Sequence, residues 1–207
     1  MQIKTLTVGA FAVNCYLLID PKTSEAIFID PGMEADHLIE TVENLNVDLK
    51  YIINTHCHID HAAEVKTIQD HFKIPFYIHE AEFPLLQSLP QQGAMFGIPV
   101  SEIAQVTSFV ADNEGIEFGR IKGKILHTPG HSPGGISILF ADRIFVGDCL
   151  FYDSIGRTDL YKGNYEQLIE SIKTKLMILP DNTEVYSGHG PVTTIGRERI
   201  QNPFLQE

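Results

Sequence analysis

One segment constrains this chain more than any other: the six residues HCHIDH at positions 56–61 hold three imidazoles and one carboxylate. The segment follows a short apolar run that predicts a buried strand, and it opens a predicted helix. Alternate residues of an extended loop point the same way, so His56 and His58 can converge on one ion. Asp60 and His61, at the turn into the helix, can reach a second ion. Burying these four groups without a metal would be costly, so the segment predicts a metal site.

Three more candidate donors follow later predicted strands. His131 lies in the segment TPGHSPGG, Asp148 in VGD and His189 in SGHG. Glycine residues flank each donor and let the backbone approach a site closely. Because all seven candidates stand where a strand ends, one rim of the fold could gather them. Histidine, carboxylate and an open position form the ligand set expected of a catalytic zinc or iron site.

Strand and helix patterns alternate in two halves of the chain. In the first half, apolar runs and amphipathic periodicity predict strands at 3–8, 15–19, 26–29, 51–53 and 76–78, helices at 35–45, 60–72 and 80–89, and a long loop with at most one short helix at 90–106. In the second half they predict strands at 116–118, 124–127, 135–140, 143–146 and 184–187 and a helix at 165–179. Two sheets with helices on their outer faces would bury these patterns, which predicts an α/β sandwich.

Composition excludes several classes of protein. The 207 residues include 15 basic and 27 acidic side chains, a formal charge of −12 that repels nucleic acid and anionic membranes. No apolar run is long enough to span a bilayer, and no secretory signal is visible. Three cysteines, an odd and low number, favour a reducing compartment, so we expect a cytoplasmic protein. The sequence predicts no oligomeric state.

The motifs HxHxDH, TPGH, GD and GHG, taken together, resemble the metal signature of the metallo-β-lactamase superfamily. The resemblance spans nearly the whole chain and implies a four-layer αββα sandwich. It also implies two Zn²⁺ ions per chain, with iron or manganese as alternatives. By this resemblance, one metal is bound by His56, His58 and His131, the other by Asp60, His61 and His189, and Asp148 bridges both.

One further histidine and two cysteines near the motifs are predicted to be structural. His127 lies four residues before His131, but the family pattern uses the histidine of TPGH. Cys57 and Cys149 adjoin proposed ligands in the sequence, and we expect both to be small buried residues.

A second set of residues narrows the resemblance. The segment SIGRTD at 154–159, just after GDCLF at 147–151, resembles compact bacterial glyoxalase II-like, or hydroxyacylglutathione hydrolase-like, enzymes. This implies cleavage of a small-molecule thioester such as S-lactoylglutathione through a metal-bound hydroxide. Asp60, which can orient the hydroxide, and Asp148 are the predicted catalytic residues. A thiolate leaving group needs no general acid, because a thiol pKa is about 8.5.

Substrate contacts are less constrained by the sequence. Arg157, Tyr161, Lys162 and Arg197 are candidates because they lie near the motifs. Arg157 could meet a substrate carboxylate, or it could pair with Asp159 or Asp153.

Three alternatives remain open on the sequence. The GRTD segment is also similar to persulfide dioxygenases, in which His56, His131 and Asp148 would hold a single iron. A lactone or β-lactam hydrolase would use the same dimetal core, and a binding module without activity would retain the fold. Full-length glyoxalase II carries a C-terminal helical domain that binds glutathione. We expect a single domain over residues 1–207 that lacks this helical domain.

Overall fold

The computed structural model describes residues 1–206 of the chain. Two compact units are present in this range. The first consists of Met1–Val110 with Glu117–Ile121, and the second consists of Ala111–Ile116 with the residues from Lys122 onward. Each unit carries its own sheet and its own cluster of buried apolar side chains.

The sheet of the first unit follows the order β1-β2-β3-β4-β5-β6. Its strands are β1 (Gln2–Val8), β2 (Val13–Ile19), β3 (Glu25–Ile29), β4 (Asp48–Ile53), β5 (Phe76–His79) and β6 (Ser108–Val110). The first three strands pair antiparallel, whereas β3, β4, β5 and β6 run parallel to one another. Parallel neighbours need crossover connections, and these connections contain the helices of the unit. The carboxyl ends of β3, β4 and β5 therefore lie along one edge of the sheet.

The helices of the first unit lie in those crossovers. They are α1 (Ala35–Leu45), α2 (Ile59–Ala62), α3 (Val65–Phe72), α4 (Phe83–Gln87) and α5 (Leu89–Phe96). The predicted helix at 35–45 forms over the expected residues. The helix predicted at 60–72 is divided into α2 and α3, because the Glu64 backbone N–H donates to the Gly32 carbonyl at 2.9 Å. Helix α5 begins one residue before the loop predicted at 90–106 and occupies its first part.

The sheet of the second unit follows the order β14-β13-β10-β9-β8-β7. Its strands are β7 (Gly115–Phe118), β8 (Ile121–His127), β9 (Ile136–Phe140), β10 (Arg143–Gly147), β13 (Glu184–Ser187) and β14 (Thr193–Thr194). A separate hairpin follows β10 and consists of β11 (Leu150–Phe151) and β12 (Ser154–Ile155). Strand β10 runs parallel to β13, so the residues that follow these two strands lie at the same edge.

Two α-helices complete the second unit among the described residues: α6 (Tyr165–Ser171), which continues as a π-helical turn over Ile172–Leu176, and α7 (Ile195–Gln201). A short 3₁₀ helix follows over Pro203–Leu205. Leu168, Ile172 and Leu176 are fully buried in the core cluster of this unit, which agrees with the apolar stripe predicted for residues 165–179. Strands β6, β11, β12 and β14 were absent from the predicted elements. They contain only two or three residues, too few to show an alternating pattern.

The α/β class predicted from the sequence agrees with this architecture, in which both units combine a mixed sheet with helices. Across residues 1–206, each helix is too short or too polar to cross a membrane.

Candidate metal centre

The first unit places its predicted donors on the loop that joins β4 to α2. His56, His58 and His61 are buried, and the Asp60 side chain is 14% exposed. The ring centroid of His56 lies 4.8 Å from that of His58 and 4.1 Å from that of His61. The four residues of the HxHxDH motif thus form one compact cluster beyond the carboxyl end of β4.

Asp30 holds two of these histidines in place, although it was not among the predicted site residues. Its Oδ1 accepts from the Thr55 backbone N–H at 2.7 Å, and its Oδ2 accepts from Thr55 Oγ1 at 2.6 Å and lies 3.1 Å from His61 Nδ1. Because the Thr55 hydroxyl donates to Asp30, its oxygen accepts from His56 Nδ1 at 3.1 Å. Both rings therefore carry the proton on Nδ1, which leaves Nε2 as the atom that can bind a metal.

Glu82 is a second buried carboxylate that sequence reasoning missed. Its Oε2 accepts from the Cys57 backbone N–H at 2.8 Å, and Gln92 on α5 donates to the Cys57 carbonyl at 3.4 Å. These bonds hold the peptide between His56 and His58. Asp30 could have been suspected, since it is a carboxylate directly after a buried strand that neighbours the motif. The sequence contains no comparable signal for Glu82.

The second unit brings its three predicted donors together, with His131 and His189 both close to Asp148. The Asp148 Oδ2 atom lies 3.7 Å from His131 Nε2 and 3.5 Å from His189 Nε2. Asp148 follows β10 and His189 follows β13, and these parallel neighbours end at the same edge. The three donors of the second unit therefore form one compact cluster.

The loop that carries His131 is held by α6 and by the segment after β12. A Cβ at Gly130, whose φ is +134°, would overlap the backbone of Leu168, so this position requires glycine. The Asn164 backbone N–H donates to the Gly130 carbonyl at 2.8 Å, and Ser171 Oγ donates to the Pro129 carbonyl at 2.7 Å. His131 Nδ1 donates to the Arg157 carbonyl at 2.8 Å, so Nε2 is again the available nitrogen.

The proposed substrate contacts lie on the surface of the second unit. Arg157 forms a bidentate ion pair with Asp159, with both N–O distances at 2.7 Å. This hydrogen bonding lowers the pKa of Asp159 to about 2. Lys162 Nζ lies 5.4 Å from the ring centroid of Tyr161, and both side chains face solvent. Asp153, the other partner considered for Arg157, pairs instead with Arg197.

The residues predicted to be structural have structural environments. His127 Nε2 lies 3.3 Å from the Pro133 carbonyl, a backbone partner. Cys57 and Cys149 are buried. Burial raises the pKa of the Cys57 thiol well above its usual value, and the charges of Glu82 and Asp30 raise it further. Burial also raises the pKa of Cys149, to about 12.

The donor chemistry of both units fits a divalent metal. Each unit offers imidazole nitrogens whose protonation is set by a hydrogen bond to the other ring nitrogen, together with a carboxylate that is largely shielded from solvent. Zinc, iron and manganese all accept this combination of ligands, and second hydrogen bonds of this kind are usual for metal-binding histidines.

Comparison with known proteins agrees with this chemistry. The family profile described as the Metallo-beta-lactamase superfamily matches residues 8–189. The chain belongs to the metallo-β-lactamase superfamily, whose members are generally metal-dependent hydrolases with a dinuclear site of histidine and aspartate residues. The fold predicted from the motifs is therefore confirmed.

Particular relatives cover the chain almost end to end. Hydroxyacylglutathione hydrolase GloC of Haemophilus influenzae is 41% identical over 99% of this chain and 98% of its own length. The crystal structure of the BLEG-1 B3 metallo-beta-lactamase is 36% identical and superposes with a TM-score of 0.91, covering 100% of both chains. The structure of TTHA1623 in a di-iron-bound form is 31% identical, with a TM-score of 0.90, and covers 98% of this chain and 100% of its own.

Proposed function

We propose that this protein is a dinuclear-metal thioester hydrolase whose substrate is S-lactoylglutathione or a related hydroxyacyl thioester. The observation that carries the substrate class is the 41% identity to a hydroxyacylglutathione hydrolase over nearly the full length of both chains. The donor clusters around His56 and Asp148 supply the groups that such a reaction needs.

The ligand assignment implied by the superfamily is part of this proposal. One ion would be bound by His56, His58 and His131, the second by Asp60, His61 and His189, and Asp148 would bind both. Zinc is the metal we propose, with iron and manganese as alternatives. When bound, the ions polarise a carbonyl and lower the pKa of water from 15.7 to about 7.

The chain's own residues would prepare the reaction in three ways. Asp60, which remains partly exposed, would accept a hydrogen bond from the attacking water at a carboxylate oxygen and so orient it. Asp30, Thr55 and the Arg157 carbonyl would keep the proposed ligands in one orientation. The leaving thiol has a pKa of about 8.5, so it departs as a thiolate without a general acid.

Surface residues of the second unit would hold the thiol carrier. We propose Arg157, Tyr161 and Lys162 for this role, because two cations and a phenol there would suit a carboxylate-bearing small molecule. Arg157 would exchange Asp159 for the substrate carboxylate. The charge of −12 disfavours nucleic acid and anionic membranes as partners. Buried thiols at Cys15, Cys57 and Cys149, none of them disulfide-bonded, favour the cytoplasm as the compartment.

The decisive experiment is hydrolysis of S-lactoylglutathione by zinc-reconstituted protein, followed by the loss of thioester absorbance. We expect a kcat/KM of at least about 10⁴ M⁻¹s⁻¹. Asp148→Ala should lose metal and activity together, whereas Asp48→Asn, at an exposed carboxylate paired with Lys50, should change neither. A fully metallated protein without turnover would contradict the proposal.

A second candidate function is β-lactam hydrolysis. It is favoured by the 36% identity to a B3 metallo-beta-lactamase over the whole of both chains. A chromogenic cephalosporin tested beside S-lactoylglutathione would decide between the two functions. We expect kcat/KM for the true substrate class to exceed that for the other by at least about tenfold.

The third candidate is a persulfide dioxygenase-like reaction on a single iron. Only the choice of iron as the metal has support. A neighbour with 31% identity was crystallised with two iron ions. Metal analysis after anaerobic purification, with oxygen consumption measured on a persulfide, tests this alternative. One iron per chain together with sulfite formation would replace the hydrolase proposal.

A further inference from the structure

The described residues beyond His189 contain a buried carboxylate with an unusual number of donors. Glu198, on α7, is fully buried. Its Oε2 accepts from the Asp153 backbone N–H and from Asn202 Nδ2, both at 2.9 Å. Its Oε1 accepts from Thr193 Oγ1 at 2.5 Å and from Arg197 Nη1 at 2.7 Å. A buried carboxylate is tolerated when it is saturated in this way, and four donors leave it little freedom to move.

Asn202 extends this network along the β11–β12 hairpin. Its Nδ2 donates to the Ser154 carbonyl at 3.0 Å and approaches the Phe151 carbonyl at 3.5 Å. Arg197 contacts both residues of the hairpin turn. It pairs with both carboxylate oxygens of Asp153, and its guanidinium carbon lies 3.5 Å from the ring centroid of Tyr152. The turn of the hairpin, where Asp153 has a φ of +57°, is therefore held by α7 and the residues that follow it.

The hairpin leads directly to a proposed metal ligand. Strand β12 ends at Ile155, and the next residue, Gly156, lies so close to Asp148 that a Cβ would overlap the Asp148 carbonyl oxygen and lie 3.1 Å from His131 Nδ1. The residue after that, Arg157, accepts the hydrogen bond from His131 Nδ1 at 2.8 Å. A shift of the hairpin would move this carbonyl and turn the imidazole ring.

We propose that Glu198, together with Asn202, is a positioning residue for His131, and that it acts through the β11–β12 hairpin. Glu198 binds the hairpin turn, the hairpin sets the Arg157 carbonyl, and the carbonyl sets the ring orientation and protonation of His131. The inference rests on metal binding by His131 and Asp148, which is part of the proposed function, but it does not depend on the substrate.

The chain offers a matched control on the same helix. Arg199 donates through Nη2 to the Met177 carbonyl at 2.7 Å and to the Leu179 carbonyl at 2.9 Å. These bonds attach α7 to the segment after α6, and neither of them involves the hairpin. Arg199→Ala should therefore weaken the attachment of α7 while it leaves His131 in place.

The test compares wild-type protein, Glu198→Gln, Asn202→Ala and Arg199→Ala as full-length chains. Zinc affinity is measured by competition with a chromophoric chelator, the visible spectrum is recorded after loading with Co²⁺, and thermal stability is measured without metal. In Glu198→Gln the side-chain amide would face the same donors with one acceptor oxygen instead of two, so we expect zinc affinity to fall about 10- to 100-fold and the Co²⁺ bands to shift. Asn202→Ala should change both in the same direction, and it decides the matter if Glu198→Gln does not fold.

Arg199→Ala is expected to lower the thermal stability and to keep the wild-type zinc affinity and Co²⁺ spectrum. The proposal is overturned if Glu198→Gln and Asn202→Ala lose stability as Arg199→Ala does but bind zinc with wild-type affinity and an unchanged spectrum. Thioester cleavage is not among the readouts. A protein that binds metal but does not cleave S-lactoylglutathione therefore counts against the proposed function alone, whereas a wild-type chain that binds no metal overturns both.

Discussion

Asp30 uses both of its carboxylate oxygens inside the first unit, one on the Thr55 backbone and one on Thr55 Oγ1 and His61 Nδ1. In the second unit a backbone carbonyl, that of Arg157, plays the same part for His131. In both cases the partner determines which ring nitrogen carries the proton, and thus which one can bind a metal. Single residues outside the signature motifs therefore control the chemistry of the residues within them.

Asp30→Asn should weaken metal binding without removing it. The amide retains one oxygen, so it cannot accept from Thr55 and His61 as the carboxylate does. We expect zinc affinity to fall about 10- to 100-fold and the free energy of unfolding to fall by about 1–3 kcal/mol. Chelator competition and urea denaturation measure the two effects. Asp48→Asn is the control, and equal affinities for the two variants would refute the role of Asp30.

Arg157→Ala should raise KM for S-lactoylglutathione severalfold and leave kcat nearly unchanged, as expected for a group that binds the substrate and its transition state equally. The lost pair with Asp159 lies on the surface, where water and salt screen the interaction, so its loss should change the stability little. Steady-state kinetics should be compared with those of Asp159→Ala, which releases Arg157 and should lower KM. An unchanged KM in both variants would leave Arg157 with a structural role only.

At the scale of elements, the candidate donors stand on loops whose positions depend on close backbone contacts. The turn after β3 packs against α2 so tightly that a Cβ at Gly32 would overlap the backbone of Asp60 and His61. The same turn ends the helix early, because the Gly32 carbonyl accepts from the Glu64 backbone N–H. The division between α2 and α3 is thus part of the geometry that places Asp60 and His61.

Gly32→Ala should displace α2 and destabilise the chain by about 1–3 kcal/mol, because the added methyl group meets backbone atoms that cannot rotate away. Zinc affinity should fall with stability, since Asp60 and His61 move with the helix. Urea denaturation and chelator competition provide the measurements. Gly115→Ala is the matched control, since the nearest atom to a Cβ there is 3.9 Å away. Equal stabilities of the two variants would contradict the proposed packing constraint.

At the scale of the whole molecule, each unit carries its own predicted donors: His56, His58, Asp60 and His61 in the first, and His131, Asp148 and His189 in the second. Each unit has its own apolar core. A ligand that binds the folded chain and not the unfolded chain stabilises it in proportion to its affinity and concentration.

Metal removal should therefore lower the thermal stability of the whole protein. With free zinc at a thousand times its dissociation constant, the expected stabilisation is about 4.1 kcal/mol at 25 °C. Thermal unfolding with zinc, with EDTA and after re-addition of zinc measures this effect, and Asp148→Ala should show a much smaller response. Identical unfolding temperatures for the wild-type chain with zinc and with EDTA would contradict metal binding in the folded state.

Local sequence determined the elements whose apolar pattern extends over several residues. It also determined the donors that cluster in short motifs. The helix at 35–45 and the strand at 184–187 form as predicted, because their apolar periodicity and flanking turn residues act within a few positions. The HxHxDH, TPGH, GD and GHG motifs indicated the superfamily, which the family profile and the solved structures confirm.

Tertiary structure alone decided which distant residues support those donors. Asp30 and His61 are 31 positions apart, Cys57 and Glu82 are 25 apart, and Asp153 and Glu198 are 45 apart. Strand pairing and helix packing create these contacts, and no local pattern encodes them. The sequence by itself determined the chemistry available to the protein, because the functional groups of a motif are the same whatever structure surrounds them. The orientation of those side chains depended on hydrogen bonds that exist only after the two sheets have formed.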